Sequence, residues 1–476
     1  MIFHPVSRLK PIFAARIGSK GRAEAQQSYN YGGAGTSNYA VIHMKGKRKV
    51  RKTVLIILAA LLLISLAACA GKDGQPSAGQ SAEPGSALDA AREDDFDNRF
   101  GQGSYNLAET EDAYYFSPPS GKYIYYYDKA TGDYGVLCAK PECMHDEGNT
   151  EDCNGLADLC MKSLNNWGGK LHFVGWDRGL KRYCLFGLSY DGSEREREAE
   201  LDFGEYSQLQ IPYDFDYHRG MLYCYVQYDK VKGGVPGYAT ELFSVDPGTG
   251  KLTQIFKTED DPDVGVDKPR LFYYNQYVYF LLSKWHYEED DTLHIEIELR
   301  RYDTETEQVE DVYSGVMGPN GGSVFRYWVE SEDRIYLMPK HCKSGNTPKL
   351  YLISDGELSV LHEFDAATAE HSVSTCLFED AVVFLDFKDE RLKVCACDGT
   401  VICDGPLDLS PVQELAADEN ARIRHYVDMY GDSGELFVVY TFEDRATDEN
   451  SYCLVRYTFR EDGAEATLLV GNARMY

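Results

Sequence analysis

From residue 111 onward the chain alternates between short polar clusters of Gly, Asp and Asn and runs dense in apolar and aromatic residues. One event recurs along it, a turn cluster followed by an aromatic run: "EDAYYF" (111–116), "GGKLHFVGW" (168–176), "RGMLYCYVQY" (219–228) and "NQYVYFLL" (275–282). The series continues with "EDRIYLM" (332–338), "EDAVVFLDF" (379–387) and "SGELFVVYTF" (433–442). The turn residues Asp112, Gly169, Gly220, Asn275, Asp333, Asp380 and Gly434 mark seven copies, 47 to 58 residues apart. Runs this short, bounded by turn formers and rich in Tyr, Phe and Val, predict β-strands. A repeat of this length made of strands alone predicts propeller blades, because one unit cannot bury its own apolar face and must stack on the next.

Each unit continues into a second hairpin. Three copies share one tip, "YDKATGD" (127–133), "VDPGTGK" (245–251) and "YDTETEQ" (302–308), and others use Asp191-Gly192, Asp355-Gly356, Asp398-Gly399 and Asp462-Gly463. An Asp opening such a turn accepts backbone N–H bonds, so these carboxylates read as turn formers rather than calcium ligands. Inner strands precede the aromatic runs at "LQIPYDFDY" (209–217), "RLFYYN" (270–275), "SVFRYWVE" (323–330), "SVSTCLF" (372–378) and "RIRHYVDM" (422–429). The prediction is an all-β fold, a seven-bladed β-propeller of four-stranded antiparallel blades over residues 104–476. Thirty-six Tyr and 21 Phe suit it, since aromatics favour strands and fill the space between twisted sheets.

With strands A to D numbered outward, the A–B and C–D turns share one face and the B–C and D–A connections share the other. The first set is short. The second holds every long segment: 229–240, 283–294, 339–348 and 443–451 as B–C connections, and 257–269, 314–322 and 365–371 as D–A connections. Long irregular loops on a rigid scaffold are where binding usually sits, so this face is the expected binding face.

The N-terminal part has a different pattern. Basic residues from Lys45 to Lys52 precede an apolar run from Val54 to Leu66 that ends in "LAAC" at Cys69. Basic-then-apolar-then-small is the order of an export signal, here assigned to residues 44–68. Residues 1–43 lack apolar periodicity and read as an upstream extension, and 69–103, rich in Gly, Ser, Pro and Ala, reads as a flexible linker. Residues 1–69 hold 11 of the chain's 48 Lys and Arg but only one of its 77 acids, so the remainder carries 37 basic and 76 acidic side chains, net −39. That surface leaves nucleic acid no credible role as a partner.

The "LAAC" box, the tether and repeats of the form "xLYxYDxxTGK" resemble bacterial lipoproteins with TolB-like propellers, related to the low-density-lipoprotein-receptor type. The resemblance spans residues 104–476 for the propeller. It implies a lipid thioether on Cys69, membrane lipid as a partner, and an address on the outer face of the bacterial cell membrane. The receptor's Tyr-Trp-Thr-Asp repeat is absent, so its ligand role does not carry over. "C-x-K-P-x-C-x-H", matched by Cys138–His145, is also similar to segments of such lipoproteins.

That segment opens "CAKPECMHDEGNTEDC" (138–153). Cys138, Cys143, His145 and Cys153 offer three thiolates and an imidazole, a set suited to a structural zinc. Export favours the alternative, disulfides among Cys138, Cys143, Cys153 and Cys160. On the long-connection face Trp176, Arg178, Trp285, His286 and His341 are the candidate ligand-binding residues, aromatic and polar groups suited to stacking on sugars and bonding to hydroxyls. No G-x-S-x-G, H-E-x-x-H or phosphate-cradling Gly loop is present, so no catalytic residue is assigned. The expected function is non-catalytic binding of a glycan, peptide or protein. The alternatives are an extracellular polysaccharide-acting enzyme using channel-mouth carboxylates, and a scaffold for envelope complexes.

Overall fold

The computed structural model describes residues 92, 94–101, 103, 106–118, 122–145, 153–157, 162–203, 212–232, 235–258, 265–266, 269–287, 293–317, 325–342, 347–364, 373–416, 421–444, 449–460 and 462–474. Seven antiparallel sheets follow one another, each adding strands in chain order from an inner strand outward. The inner strands of blades 1 to 7 are Asn106–Glu109, Asn165–Trp167, Pro212–His218, Arg270–Tyr274, Phe325–Ser331, Val373–Leu377 and Ala421–Gly431. The predicted seven-bladed propeller of four-stranded blades is the fold. Two short strands, Gly265–Val266 and His341–Cys342, extend blades 4 and 6, and one helix, Ser410–Leu415, joins blade 6 to blade 7.

The second strand of each blade is apolar on both sides, as a strand between two packed sheets must be. In Ala381–Asp386, for instance, all six residues are buried. The turn Asp residues act as predicted: Asp128 Oδ1 accepts from Ala130 N and Thr131 N at 2.9 and 2.8 Å, and Asp246 and Asp303 do the same in their turns. The outer turns also dock each blade on its predecessor. Gly192, at φ +71°, lies so close to blade 1 that a Cβ would fall 2.8 Å from the backbone N of Cys138. Gly250, at φ +70°, would place one 2.0 Å from the carbonyl oxygen of Glu200 in blade 2. Both positions need Gly twice over, for conformation and for clearance.

Blade 1 takes its strands from residues 106–136 and blade 7 from 421–474, and among the described residues no strand is exchanged where the ring closes. Side chains close it instead: Phe437, Val439 and Leu454 of blade 7 pack with Leu107, Tyr114 and Phe116 of blade 1. Arg456 adds a 3.3 Å hydrogen bond to the Tyr114 hydroxyl.

Two features depart from the sequence reading. Three of the four long B–C connections are extended ribbons rather than irregular loops, while in the fourth His341–Cys342 pairs with blade 6. Strands Met221–Lys232 and Val235–Val245 stay paired as far as Lys232 and Val235. Blade 4 does likewise to Tyr287 and Leu293, and blade 7 to Asp444 and Glu449. Their sequences kept enough Val, Tyr and Ile to go on pairing beyond the packed core. The second departure concerns the linker assigned to 69–103. Residues 92–101 belong to the propeller, and they lie across the short-turn end of its channel.

Candidate functional site

This strap begins at Asp95, which pairs with Arg219 of blade 3 at 2.5 Å. The Phe96 N–H donates to His218 Nδ1 at 3.2 Å, while His218 Nε2 reaches the Asn275 carbonyl at 2.8 Å. One ring nitrogen accepts and the other donates, so the imidazole must be neutral. Burial holds His218 down at about 4, which keeps it so. Burial pushes the Asp95 carboxyl up, but Arg219 and the Arg92 N–H outweigh it and hold it low. Asn98 then bonds both backbone groups of Tyr273 in the inner strand of blade 4, donating to O at 2.7 Å and accepting from N at 3.0 Å. Arg99 ends the crossing between Glu109 of blade 1, at 3.0 Å, and Asp432 of blade 7, at 3.1 Å. The strap thus runs from blades 3 and 4 to blades 7 and 1, and it satisfies inner-strand edge groups that would otherwise face an open channel.

Above the strap lies a buried ion pair. Lys162, from the connection into blade 2, meets Asp216 of blade 3 at 2.8 Å, and the Tyr273 hydroxyl donates to the same carboxylate at 3.2 Å. Both charged groups are at least nine-tenths buried and satisfied.

The hairpin end is different. Asn106, Arg270, Arg326, Ser374 and Asp428 stand at one height, each opposite the fifth residue of its blade's second strand (Ser117, Leu281, Met338, Leu385 and Val439). Arg326, 1% exposed, donates from Nε to the Thr375 carbonyl of blade 6 at 3.1 Å and points its NH2 at Asp428 of blade 7, 3.8 Å away. Lys340 follows the second strand of blade 5. Its carbonyl accepts from Thr375 N at 3.0 Å, which lays Lys340 and His341 along the inner edge of blade 6. Burial first, then Arg270 and Arg326, bring the Lys340 ammonium down to about 8. His341 Nδ1 lies 3.1 Å from Ser374 Oγ. Solvent reaches His341, yet the surrounding walls and then Lys340, Arg326 and Arg270 hold its imidazole down at about 4. Three cations and one carboxylate therefore gather where the channel opens.

The predicted ligand-binding residues are spread over several blades. Trp176 is half-buried against its cross-strand partner Tyr183, ring centroids 5.0 Å apart, and Arg178 is exposed in the tight turn that Asp177 caps by accepting from Leu180 N at 2.9 Å. Trp285 and His286 lie in the ribbon of blade 4, opposite Ile295 and His294, and their side chains lie outside the described residues. Of those whose side chains are described, His341 stands at the channel. Sequence reasoning missed Arg270, Arg326 and Asp428, whose signal was a charge interrupting an apolar inner strand, as in "SVFRYWVE", and Lys340, which follows a second strand. It also missed the strap, whose signal was Phe96 and Phe100 in an otherwise polar linker.

Cys138, Cys143, His145 and Cys153 do converge. Their donor atoms all lie within 4.8 Å of one another, at the rim between blades 1 and 2. All three thiols are free, while Cys160 and Cys69 lie outside the described residues. Cys184, Cys224, Cys376 and Cys453 are buried thiols outside any disulfide, packed as small apolar residues. Cys395, Cys397 and Cys403 are free as well, Cys395 facing Val401 rather than a cysteine.

No known protein family matches the chain, and no curated protein matches it. Solved structures do. The propeller domain of the Trilobed protease from Pyrococcus furiosus is 14% identical, with 77% of this chain and 98% of that one covered, at a TM-score of 0.36. The acylaminoacyl peptidase of Pyrococcus horikoshii is 10% identical, over 80% of this chain and 54% of that one, at 0.33. A GH32 beta-fructofuranosidase of Bombyx mori is 9% identical, over 67% and 87%, at 0.29. Similarity at this level concerns fold alone. Among the described residues no helix is long and apolar enough to cross a membrane.

Proposed function

We propose that this chain is a non-catalytic binding propeller of the TolB-like lipoprotein kind, held on the outer face of a bacterial membrane, that takes an anionic ligand at the hairpin-side mouth of its channel. The address rests on "LAAC" at Cys69 behind a basic and apolar segment. The ligand reading is carried by Lys340. This ammonium is half-buried beside two guanidinium groups and makes no ion pair among the described residues. A cation held against its like charges is relieved by an incoming anion, and that attraction is strong where walls exclude water. On a chain whose processed part is net −39, a cationic mouth at the one end without a strap also selects against the protein's own surface. The carboxylate or phosphate of a glycan or peptide fits it.

Calorimetric titration with an oligogalacturonate and a neutral oligosaccharide of equal length tests this. The acidic chain binds, its affinity falls with salt, and Lys340→Met weakens it by about tenfold or more, a loss of roughly 1.4 kcal/mol. Equal affinity for both sugars, or no effect of Lys340→Met, refutes the anion site. Release of shortened products during the titration replaces binding with the polysaccharide-cleaving alternative.

A further inference from the structure

The connection that leaves the outer strand of blade 1 is polar and acidic, yet its two ends are fixed in detail. Ile124 N donates to Gly155 O at 2.9 Å and Ala157 N to Lys122 O at 3.0 Å, adding residues 153–157 to the edge of blade 1. Asn154 Nδ2 donates to the carbonyls of Gly192 and Ser193 in blade 2, at 2.9 and 2.8 Å. Ala139 N reaches Gly192 O at 3.2 Å. Cys138 and Cys153 are therefore set beside each other by backbone pairing, before any bond between side chains is considered. Cys143 and His145 come from the intervening turn, with His145 in the left-handed region at φ 52°. A non-Gly residue is rarely held there without a compensating interaction. His145 Nε2 is buried and has no hydrogen-bond partner.

We propose that Cys138, Cys143, His145 and Cys153 bind one zinc ion through three thiolates and an imidazole. Zinc holds sulfur at about 2.3 Å and nitrogen at about 2.0 Å, so tetrahedral ligand atoms stand roughly 3.4–3.8 Å apart. Donors already within 4.8 Å of one another need only a small inward movement. A disulfide does not account for the set: it joins two sulfurs and leaves a third thiol and a buried ring nitrogen unused. Mixed sulfur and nitrogen donors select zinc over calcium or magnesium, which take oxygen. Binding releases the thiol protons to solvent and leaves a centre of net charge −1. Four protein ligands leave no open position, so the ion clips the rim of blades 1 and 2 and does no chemistry on a substrate.

The test uses the full chain purified without chelator or reductant. Elemental analysis gives one zinc per chain, and cobalt(II) exchanged into it gives the intense visible bands of tetrahedral thiolate coordination. Cys143→Ser and His145→Ala lose the stoichiometric metal and change those bands, while Cys397→Ser, at a half-buried thiol elsewhere, keeps both. Should the first two variants fail to fold, the wild type decides. Stripped of metal it takes up one cobalt per chain and its thermal midpoint rises on loading. A chain lighter by the hydrogens of a disulfide at Cys138, Cys143 or Cys153 overturns the proposal, as does a stripped chain that retains no cobalt or shows only the weak bands of octahedral aquo coordination.

Discussion

The two ends of the channel are built on opposite plans. At the short-turn end the charges that hold the strap and line the channel above it are paired: Lys162 with Asp216, Arg219 with Asp95, Arg99 with Glu109 and Asp432. A strap of the chain's own residues occupies the position a ligand would take. At the hairpin end Lys340 stands beside Arg270 and Arg326, makes no ion pair among the described residues, and is crossed by no described segment. Matched charges in a covered site serve stability, whereas unmatched charges beside solvent cost stability and are the ordinary sign of a binding site. The contrast separates two kinds of buried ion within one channel, and each can be tested against the other.

The largest effect is expected at the covered end. Asp216→Ala leaves the Lys162 ammonium buried without its carboxylate and removes the acceptor of the Tyr273 hydroxyl. Breaking one side of a buried pair typically costs about 3–5 kcal/mol. Urea denaturation reads this as a lowered midpoint with an unchanged slope. A cost under about 1 kcal/mol would mean that water reaches the pair, and the covered end would lose its distinction from the open one.

The difference between the ends also marks what the sequence could reveal. Blades were legible because short aromatic runs and Asp-Gly turns are local, and seven copies of one event reinforce one another. The four zinc-site candidates were legible because short spacing brought them within one loop. The strap was not, because "AREDDFDNRFGQG" has the composition of a linker and gains its order from partners more than a hundred residues away, such as His218 and Tyr273. The cationic mouth was not legible either. Arg326 and Lys340 occupy different strands of blade 5, Arg270 and Asp428 other blades, and only ring closure brings them together. Loop length pointed to the face that carries the cationic mouth, but the assumption that long means irregular was wrong where Val, Tyr and Ile prolonged the hairpins.

Acid should loosen the strap next in order of size. His218 is 1% exposed and neutral, held from 6.5 down to about 4 by burial. Its folded pKa lies below its unfolded one, so between those values the unfolded chain binds more protons and stability rises with pH. The contribution is complete above about pH 6.5 and is lost as pH falls toward 4, on the order of 3 kcal/mol across the window. Asp95, held low, acts in the same direction at still lower pH. Amide exchange at Phe96, whose N–H ends on His218 Nδ1, should quicken through that window before the blades open. An NMR titration placing His218 near its ordinary value would remove the strap from this account.

The smallest effect, and the one of opposite sign, belongs to the open end. Lys340 stands between Arg270 and Arg326 with its ammonium held down to about 8. For a cation held low in the fold, the unfolded chain binds more protons between about 8 and its ordinary 10.5, so the penalty applies in full below pH 8 and fades as pH rises through that interval. Lys340→Met removes the charge but keeps most of the apolar stem, so at pH 7 the variant should be more stable than wild type, by something on the order of 1 kcal/mol. Thermal midpoints measured from pH 7 to pH 10.5 should converge as wild-type Lys340 loses its proton. The same substitution weakens binding of the acidic sugar, so stability and binding move in opposite directions at this residue. At Asp216, by contrast, the lost stability should leave anion affinity unchanged under conditions where the variant remains folded. If Lys340→Met instead lowers the midpoint at pH 7, the ammonium has a stabilising partner in the free protein, and the open end is as fully matched as the covered one.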